Sequence, residues 1–491
     1  MEIRDGCHGL PRLTARLEPW QENVIADPGG LGNLVDTFGS PLNLHHADPF
    51  ERNVEALREV ARTRGVELEV LFARKANKAL VYVEQARRMG IGVDTASEAE
   101  LAQALALGVR ADRLVCTAAV KGIELIRTCV EASVPIVIDG ADELSRTRAV
   151  AHEAGIIAPV FLRVSGLQVQ GRLLDSRFGV DPHEVLALAD SILEPPGPGG
   201  VRLEGLHFHL DGYEASHRIE GLRCSFLLVD ELRSRGHPIE SIDMGGGFPM
   251  SYLEDRGEWE AFRHALDEAL LGRRPPITWG NDGMGRWAVG ERLIGELGIY
   301  PYYQEPVAPE WLAGILDAPS GSDGGTIAEA LRTRGLVLRC EPGRSLLDGC
   351  GLTVARVEHR KQHRDGSWFI GLAMNGSQCA TAKPDHAVDP LLVRPGGAAT
   401  DRSPPMEGYL TGAFCTESDF LSRRRLRFPL GVARGDLVVF PNTAGYLMHF
   451  VETRSHQFPL AQNLVMDGSD CQMATLDPIE DTERDRRPSK K

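Results

Sequence analysis

Short apolar segments alternate with longer amphipathic segments along most of the chain. The amphipathic segments, such as KALVYVEQARRMG and ASEAELAQALALG, carry apolar residues at helical spacing, and a glycine closes each one as a helix C-cap would. Eight apolar runs have the length and composition of buried strands: LEVLFA (68–73), IGVD (91–94), RLVCT (113–117), PIVID (135–139), PVFLRV (159–164), RLEGLHFHL (202–210), SIDMG (241–245) and GLVLRC (335–340).

This alternation favours a barrel. Strands that alternate with helices are typical of parallel βαβ units. Eight such units are the number that closes a (β/α)₈ barrel of about 250 residues. The pattern therefore predicts a TIM-like barrel over residues 41–345. An open, doubly wound sheet is the alternative that the pattern leaves open.

The regular spacing is interrupted between the seventh and eighth strands. Residues 250–334 are far longer than one crossover and are rich in Trp, Gly and Pro. We interpret them as an insertion that covers or shapes a site, since long loops on that face of a barrel usually do so. Within the insertion we expect helices at about 256–271 and 285–297.

The pattern changes after Ser345. Runs such as LTVARVEHRK and WFIGLA alternate between apolar and polar residues and are separated by Gly and Pro, which predicts a mostly antiparallel β domain over 346–466. Residues 1–40 are expected to contribute to that domain. Residues 467–491 are charged and poor in apolar residues, so a disordered tail is expected there.

Charge and cysteine content restrict the partners. A formal net charge of −15 argues against a nucleic-acid partner, which would require a basic face. The opening MEIRDGCHGL lacks the apolar core of a signal peptide, and no run reaches the ~18 apolar residues of a membrane span. The nine cysteines are scattered and form no CxxC pair, so we expect a cytoplasmic protein that does not contact a membrane.

Lys75 is the first candidate for chemistry. It lies in FARKANK, directly after the first predicted barrel strand, and catalytic side chains collect at the C-terminal rim of such barrels. Desolvation there could lower the pKa of the ammonium group, and a neutral amine can condense with an aldehyde. An exposed surface lysine is the alternative.

Two neighbouring loops could bind a phosphate. Gly245, Gly246 and Gly247 follow the seventh strand, and their bare backbone N–H groups can approach a phosphate closely. Gly343 and Arg344 follow the eighth strand, and barrel phosphate sites are commonly built from the loops after strands seven and eight. An arginine there can pair with a phosphate in a bidentate way.

A glutamate and two histidines are further candidates for the site. Glu341 also follows the eighth strand, where a carboxylate could keep a pyridine nitrogen protonated and make the ring an electron sink. His207 and His209 share one face of the sixth strand. No third ligand is placed with them, so we expect no metal, and a histidine packed on a cofactor ring or hydrogen-bonded in the core is favoured.

Six motifs in one order carry a family resemblance. FARKANK, HFHLDG, DMGGGF, CEPGRSLL, GAFCTESDFL and NTAGY together resemble the group IV (fold-type III) pyridoxal-phosphate decarboxylases. This group includes the diaminopimelate, ornithine and arginine decarboxylases, and its fold relates it to alanine racemase. The resemblance covers about residues 38–455, apart from the insertion.

The resemblance implies roles for individual residues. Lys75 would form the Schiff base with pyridoxal 5′-phosphate, His209 would stack on its ring, and Glu341 would face its pyridine nitrogen. The phosphate would be held by Gly245, Gly246, Gly247, Gly343, Arg344 and Tyr446. Arg177, in an SRFG run similar to one in the diaminopimelate branch, is a candidate substrate contact.

The resemblance also implies an oligomer. Cys415 resembles the cysteine that comes from the second subunit in this family and acts at the Cα proton. A head-to-tail homodimer with shared active sites is therefore expected. Thr416 stands where the family places an acid that binds the distal ammonium of a diamino acid, and Glu417 or Asp419 would have to replace it.

The implied reaction is decarboxylation of an amino acid through the Lys75 Schiff base and a quinonoid intermediate. Glu341 favours this reaction because alanine racemases place an arginine against the ring nitrogen. The expected substrate differs from plain lysine, ornithine or diaminopimelate and is a bulkier intermediate of specialised or siderophore biosynthesis. A racemase or epimerase with the same cofactor, and a non-catalytic homologue that acts as a binding protein, are the two alternatives.

Overall fold

The fold is that of a computed structural model of the 491-residue chain. It describes residues 3–192, 199–321, 324–381, 386–395 and 404–479.

In chain order the α-helices are Pro19–Ile25 (α1), Pro28–Phe38 (α2), Asp48–Thr63 (α3), Leu80–Met89 (α4), Glu98–Ala106 (α5), Ile123–Ala132 (α6), Ala141–Ala154 (α7), Pro182–Ile192 (α8), Ala215–Ser234 (α9), Arg256–Leu270 (α10), Ala308–Leu316 (α11) and Ile327–Arg334 (α12). The strands up to the end of the barrel are His8–Gly9 (β1), Leu42–His45 (β2), Leu68–Ala73 (β3), Gly92–Thr95 (β4), Leu114–Cys116 (β5), Ile136–Ile138 (β6), Ile157–Arg163 (β7), Gln168–Val169 (β8), Arg172–Leu173 (β9), Gly200–His207 (β10), Ser241–Asp243 (β11), Arg286–Val289 (β12), Arg292–Gly295 (β13) and Val337–Cys340 (β14). The later strands are Gly351–Gln362 (β15), Trp368–Leu372 (β16), Leu391–Val393 (β17), Met406–Thr411 (β18), Leu426–Phe428 (β19), Leu437–Pro441 (β20), Gln462–Val465 (β21) and Thr475–Leu476 (β22).

Eight strands close into a barrel in the order β10-β11-β14-β3-β4-β5-β6-β7, and every neighbouring pair is parallel. These are the eight runs that the sequence pattern indicates. The TIM-like barrel is therefore confirmed, and the open-sheet alternative is wrong. Strands β4, β5 and β6 are buried along their whole length because helices cover the outside of the barrel and side chains fill the inside.

The barrel interior is packed. Leu71, Val115, Val137 and Phe161 form a small buried cluster of their own. Leu71 points inward because successive strand residues face opposite sides, and its neighbours belong to the larger cluster beneath the helices. Because side chains fill the barrel interior, we expect the functional site at the ends of the strands.

The second domain is a sheet that runs β1-β19-β18-β16-β15-β2-β21-β22, with β20 and β17 paired beside β15. The pairs β16–β18 and β2–β21 are parallel and the others are antiparallel, so the predicted mostly antiparallel domain is confirmed. Strand β2 lies within residues 41–345, which the sequence assigns to the barrel, but it pairs with β15. The barrel boundary at residue 41 is therefore wrong, because an apolar run alone does not show its pairing partner.

The insertion differs from its prediction. Helix α10 fills most of the predicted 256–271 segment, but residues 285–297 hold the β12–β13 hairpin instead of a helix. Trp287 lies directly opposite Ile294, and Gly290 turns the chain with φ of +61°. Helices α11 and α12 are part of the barrel's outer layer, since α11 packs against α3 and α9, so the inserted part ends before α11.

The C-terminal segment is partly ordered. Up to residue 479 the predicted disorder is wrong, because β22 pairs with β21 and the Asp477 carboxylate accepts the N–H groups of Leu80 and Val81 at the start of α4. Residues 480–491 of the predicted tail lie outside the described residues. Among the described residues, no helix has the length and apolar character that spanning a bilayer requires.

Candidate active site

Lys75 and Asp94 form an ion pair at the barrel rim, in which Asp94 is buried and the Lys75 side chain is 28% exposed. Lys75 lies in the 3₁₀ turn Arg74–Ala76 directly after β3, and Asp94 lies in the adjacent strand β4. Lys75 Nζ donates to Asp94 Oδ2 at 2.8 Å. The other oxygen, Oδ1, accepts from the Thr117 hydroxyl, so both carboxylate oxygens have partners. Asp94 thus fixes the direction in which the amine points.

This pair reverses the expected pKa shift of Lys75. Burial opposes its positive charge, but the carboxylates of Asp94 and Glu341 outweigh burial and raise the pKa of the amine above its ordinary value. The expectation of a lowered pKa is therefore wrong for the protein without a bound aldehyde. Burial raises the pKa of Asp94, and the Lys75 charge works against that rise.

Glu341 is a buried carboxylate held by two histidines. It follows β14, and its Oε1 lies 3.2 Å from His207 Nε2 at the end of β10. Its Oε2 lies 3.7 Å from His209 Nδ1. Burial alone would raise the pKa of Glu341, but His207, His209 and Lys75 lower it well below its usual range. Burial lowers the pKa of His207 to about 4. The neutral His207 ring therefore donates a hydrogen bond from its Nε2–H to the ionised Glu341 carboxylate.

His209 Nδ1 lies between the glycine loop and Glu341. The Gly246 nitrogen is 3.2 Å away and Glu341 Oε2 is 3.7 Å away. Burial lowers the pKa of His209 as well. Its side chain is 33% exposed, in contrast to 1% for His207, so His209 presents its ring to the cavity while His207 stays behind it.

The glycine loop has no room for side chains. Gly245 and Gly247 have φ of +65° and +83°, a region that favours glycine. A Cβ on Gly246 would lie 2.6 Å from the Glu341 carbonyl oxygen, and one on Gly247 would overlap the Arg218 guanidinium. Arg218 is fully buried in α9 and donates to the Gly246 carbonyl at 3.2 Å. The loop is therefore held in a shape that exposes its backbone.

Aromatic rings surround Arg344. Its Nη1 donates to the Tyr252 hydroxyl at 2.7 Å and to the Gly445 carbonyl at 3.0 Å. The guanidinium carbon lies 4.2 Å from the ring centre of Tyr300 and 5.0 Å from that of Tyr446. Tyr252 and Tyr300 come from the insertion, so the insertion positions the arginine that faces the cavity.

Tyr446 joins the two domains at the site. It has φ of +71°, and its N–H donates to the Ala76 carbonyl, next to Lys75, at 2.8 Å. A Cβ on Gly343 would lie 2.9 Å from the Tyr446 hydroxyl oxygen, so the hydroxyl packs directly on the loop after β14. Backbone and ring of Tyr446 thus contact both loops that the sequence places at the site.

One cavity of about 250 Å³ unites the rim groups. Its lining includes His209, Gly246, Gly247, Glu341, Gly343, Arg344 and Tyr446. Lys75 is not one of the lining residues, but its amine is close enough to Glu341 and Tyr446 for both to raise its pKa. The chain therefore places an amine beside a cavity lined by a buried carboxylate, an arginine and the glycine loop.

Three buried groups could also hold a metal ion. The ligand atoms of His207, Asp243 and Glu341 lie within 4.8 Å of one another. Hydrogen bonds already occupy one oxygen of each carboxylate: Glu341 Oε1 accepts from His207, and Asp243 Oδ1 accepts from the Gly245 N–H at 2.9 Å. We assign no metal, and the expectation that none is needed stays a prediction.

The remaining predicted residues lie apart from the cavity. Cys415, Thr416 and Glu417 are exposed on the loop that follows β18. Asp419 is buried beneath that loop, and its carboxylate accepts the N–H groups of Gly376 at 2.7 Å and Phe414 at 2.8 Å.

Arg177 is exposed and its guanidinium stacks 3.9 Å from the ring centre of Phe178. Neither Arg177 nor the Cys415 loop is part of the cavity lining in the described chain.

Several site residues are missing from the sequence prediction. Asp94 could have been found, because it ends the run IGVD on a barrel strand. Arg218, Tyr252 and Tyr300 had no such signal, since their roles depend on how α9 and the insertion fold back over the rim.

Comparison with known proteins assigns the family. Residues 49–274 match the family model for the pyridoxal-binding domain of pyridoxal-dependent decarboxylases. The chain is 32% identical over 461 residues to the uncharacterised protein y4yA of Sinorhizobium fredii, covering 92% of this chain and 93% of that protein. It is 26% identical to a diaminopimelate decarboxylase of Pseudomonas aeruginosa, covering 86% and 87% of the two chains.

The chain belongs to the fold-type III pyridoxal-phosphate-dependent decarboxylases. The crystal structure of Helicobacter pylori diaminopimelate decarboxylase complexed with L-lysine shares this decarboxylase fold, with a TM-score of 0.67, 18% identity, and coverage of 93% of this chain and 99% of that one.

The cofactor of this decarboxylase family is pyridoxal phosphate, and the cavity fits it. The backbone of Gly247, whose side-chain space is already filled by Arg218, lines the cavity with Arg344, and the two can bind a phosphate. The buried, ionised Glu341 can pair with a protonated ring nitrogen, and Lys75 offers the amine.

Proposed function

We propose that this chain removes CO₂ from the Cα of an amino acid with pyridoxal phosphate bound at Lys75. The observation that carries the proposal is Glu341, a buried carboxylate that lines one cavity with Arg344 and lies close enough to the Lys75 amine to raise its pKa. When bound, the cofactor supplies an electron sink for the electron pair that remains when CO₂ departs.

Each rim residue has a separate task in this proposal. Lys75 binds the cofactor aldehyde, and Arg344 with Tyr446 and the glycine loop binds its phosphate. Glu341 holds a proton on the ring nitrogen, and His207 donates a hydrogen bond that keeps Glu341 ionised and in place. A charge this deeply buried would be costly without such partners.

The Glu341 carboxylate distinguishes decarboxylation from racemisation. An arginine in its place would leave the ring nitrogen without a proton and weaken the electron sink. The positive charge of nearby Lys75 and the hydrogen bond from His207 stabilise the negative charge at this position instead. These contacts support release of CO₂ over reversible proton transfer.

We further propose that Cys415 acts at the Cα proton in the cavity of a second subunit of a head-to-tail homodimer. Cys415 is exposed on a loop that does not line the cavity of its own chain, which supports this placement. All nine cysteines are free thiols, which supports a reducing compartment, and we propose the cytoplasm.

The substrate that we propose is bulkier than plain lysine, ornithine or diaminopimelate. Thr416 cannot bind a distal ammonium as a carboxylate would. Both oxygens of Asp419 already accept backbone N–H groups, so Glu417 is the remaining exposed acid on that loop. An amino acid whose distal group is not a simple ammonium fits these side chains best.

A substrate panel tests the proposal. Purified protein loaded with cofactor is assayed for CO₂ release from lysine, ornithine, meso-diaminopimelate and N-acylated or otherwise enlarged derivatives of them. We expect turnover on an enlarged substrate. Deuterium uptake at Cα without loss of carbon would identify a racemase instead, and cofactor binding without turnover on any substrate would support a binding protein.

A further inference from the structure

Cys415 has a histidine neighbour. Its Sγ lies 3.0 Å from Nε2 of His456, which belongs to the segment after the Tyr446 turn. Cys415 is the exposed cysteine of the chain, Cys224 is half-buried and the others are buried. A thiol at this distance from an imidazole nitrogen can exchange its proton with the ring.

The local structure holds the two groups together. The His456 ring stacks on Phe414, the residue before Cys415, with ring centres 5.1 Å apart and planes 26° apart. Phe458 contacts the same ring at 6.1 Å. His456 and Gln457 have φ of +58° and +59°, a left-handed conformation that is uncommon for residues other than glycine, although histidine adopts it more often than most. Such backbone outliers cluster at functional positions.

The Cys415 loop is equally fixed. Asp419 accepts the Phe414 N–H at 2.8 Å and the Gly376 N–H at 2.7 Å, which fastens the loop to the rest of the β domain. Burial raises the pKa of Asp419, and its hydrogen bonds from Phe414 and Gly376, together with nearby His456, oppose that rise. The other charged side chains of the two segments include Glu417 and Arg454, both exposed.

We propose that His456 is the acid–base partner of Cys415. The Sγ–Nε2 contact lets the imidazole take the thiol proton and return it to sulfur. In the proposed reaction, the Cys415 S–H proton passes to the carbon that has lost CO₂, which leaves a thiolate beside a neutral His456 ring. The imidazole then takes a proton from solvent at Nε2 and passes it to the sulfur, which restores the thiol.

This role in the reaction rests on the proposed function, but the thiol–imidazole pair itself does not. Cys415 and His456 belong to one chain, so they would enter the cavity of a second subunit as one unit. His456 is a positioning and proton-supplying residue in this account, and the thiol is the group that reaches the substrate.

Alkylation of Cys415 tests the pair without any turnover. The full-length protein is treated with iodoacetamide between pH 5 and 9, and modification of Cys415 is followed by peptide mass spectrometry. Because the imidazole can take up the thiol proton, we expect Cys415 at pH 7 to react roughly tenfold faster in the wild-type protein than in His456→Gln.

Two controls keep the result interpretable. His183→Gln, at an exposed histidine on α8, should leave the Cys415 profile unchanged. The alkylation rate at half-buried Cys224 should be the same in all variants. Increased labelling of the buried cysteines would show that a variant is unfolded. If His456→Gln is unfolded, His456→Asn is used in its place.

Equal rates and pH profiles in wild type and folded His456 variants would overturn the inference. The protein could also release no CO₂ from any substrate while Cys415 still reacts faster with His456 present. That result would contradict the proposed function but would support the Cys415–His456 pair.

Discussion

Lys75 Nζ lies 2.8 Å from Asp94 Oδ2, and this contact sets the protonation state of the amine on which the site depends. The two residues come from adjacent parallel strands, β3 and β4, so barrel closure brings them together. The carboxylate stabilises the ammonium form, and the amine must lose that proton before it can attack an aldehyde.

The variant Asp94→Asn tests this contact through pH dependence. The pKa of Lys75 is raised in the folded protein, so capture of pyridoxal phosphate should increase as pH rises. Removing the carboxylate lowers that pKa, and the midpoint of the pH–rate curve should move to lower pH. Capture is followed by absorbance, and the covalent product is trapped with borohydride.

Thr117→Val is the matched control, because it removes the hydroxyl donor to Asp94 but leaves the carboxylate beside the amine. Its midpoint should stay close to that of wild type. A midpoint in Asp94→Asn that stays the same or moves to higher pH would show that Asp94 does not govern the amine.

The variant Glu341→Gln should bind cofactor but lose turnover. Neutralising a buried group that stabilises charge in the transition state typically costs about 100-fold or more in rate. CO₂ release per mole of bound cofactor is the measurement. Glu358→Gln, at an exposed glutamate of β15, should keep the wild-type rate. Near-normal CO₂ release from Glu341→Gln would remove the main support for decarboxylation.

The variant Gly247→Ala should weaken cofactor binding. Its φ of +83° disfavours any side chain by about 1–2 kcal/mol, and the added Cβ would overlap Arg218. Gly290→Ala is the matched control, because Gly290 also has positive φ but faces open space in the β12–β13 turn. Titration with pyridoxal phosphate should show weaker binding for Gly247→Ala alone, and equal affinities would place the phosphate elsewhere.

The C-terminal segment should stabilise the Lys75 region. Asp477 caps α4, whose own N-cap residue, Ala79, has no side-chain hydrogen bond to offer. Asp477→Ala should reduce the free energy of unfolding by about 1 kcal/mol, as loss of a helix cap does. Amide exchange should accelerate at the start of α4.

Asp470→Ala is the control on the same segment, since Asp470 caps the 3₁₀ turn Cys471–Met473 instead. It should leave exchange at α4 unchanged. Unaltered exchange at α4 in Asp477→Ala would show that the cap does not stabilise the helix.

The sequence predicts the barrel and much of its rim because both depend on local signals. Buried parallel strands are continuous apolar runs, so all eight were visible. Lys75, Glu341 and Arg344 directly follow strands, and a closed barrel brings the ends of its strands to one rim.

Long-range contacts were not predictable in the same way. Trp287, Ala288 and Val289 lie in a short apolar run that fits a helix as well as a strand, and only pairing with 292–295 settles the choice. The polar composition around Asp477 predicts disorder. In the structure, however, the Asp477 carboxylate accepts two backbone N–H groups at the start of α4 and so connects the segment to the barrel. Tyr300 is separated from Arg344 in sequence and meets it through folding of the insertion.

The position of covalent cofactor attachment tests the central claim most directly. The protein is incubated with pyridoxal phosphate, reduced with borohydride and digested, and the modified lysine is identified by mass spectrometry. The account predicts modification at Lys75, with neighbouring Lys78 and buried Lys121 unmodified, and no stoichiometric modification in Lys75→Ala. Stoichiometric attachment at another lysine, or the same yield from Lys75→Ala, would contradict it.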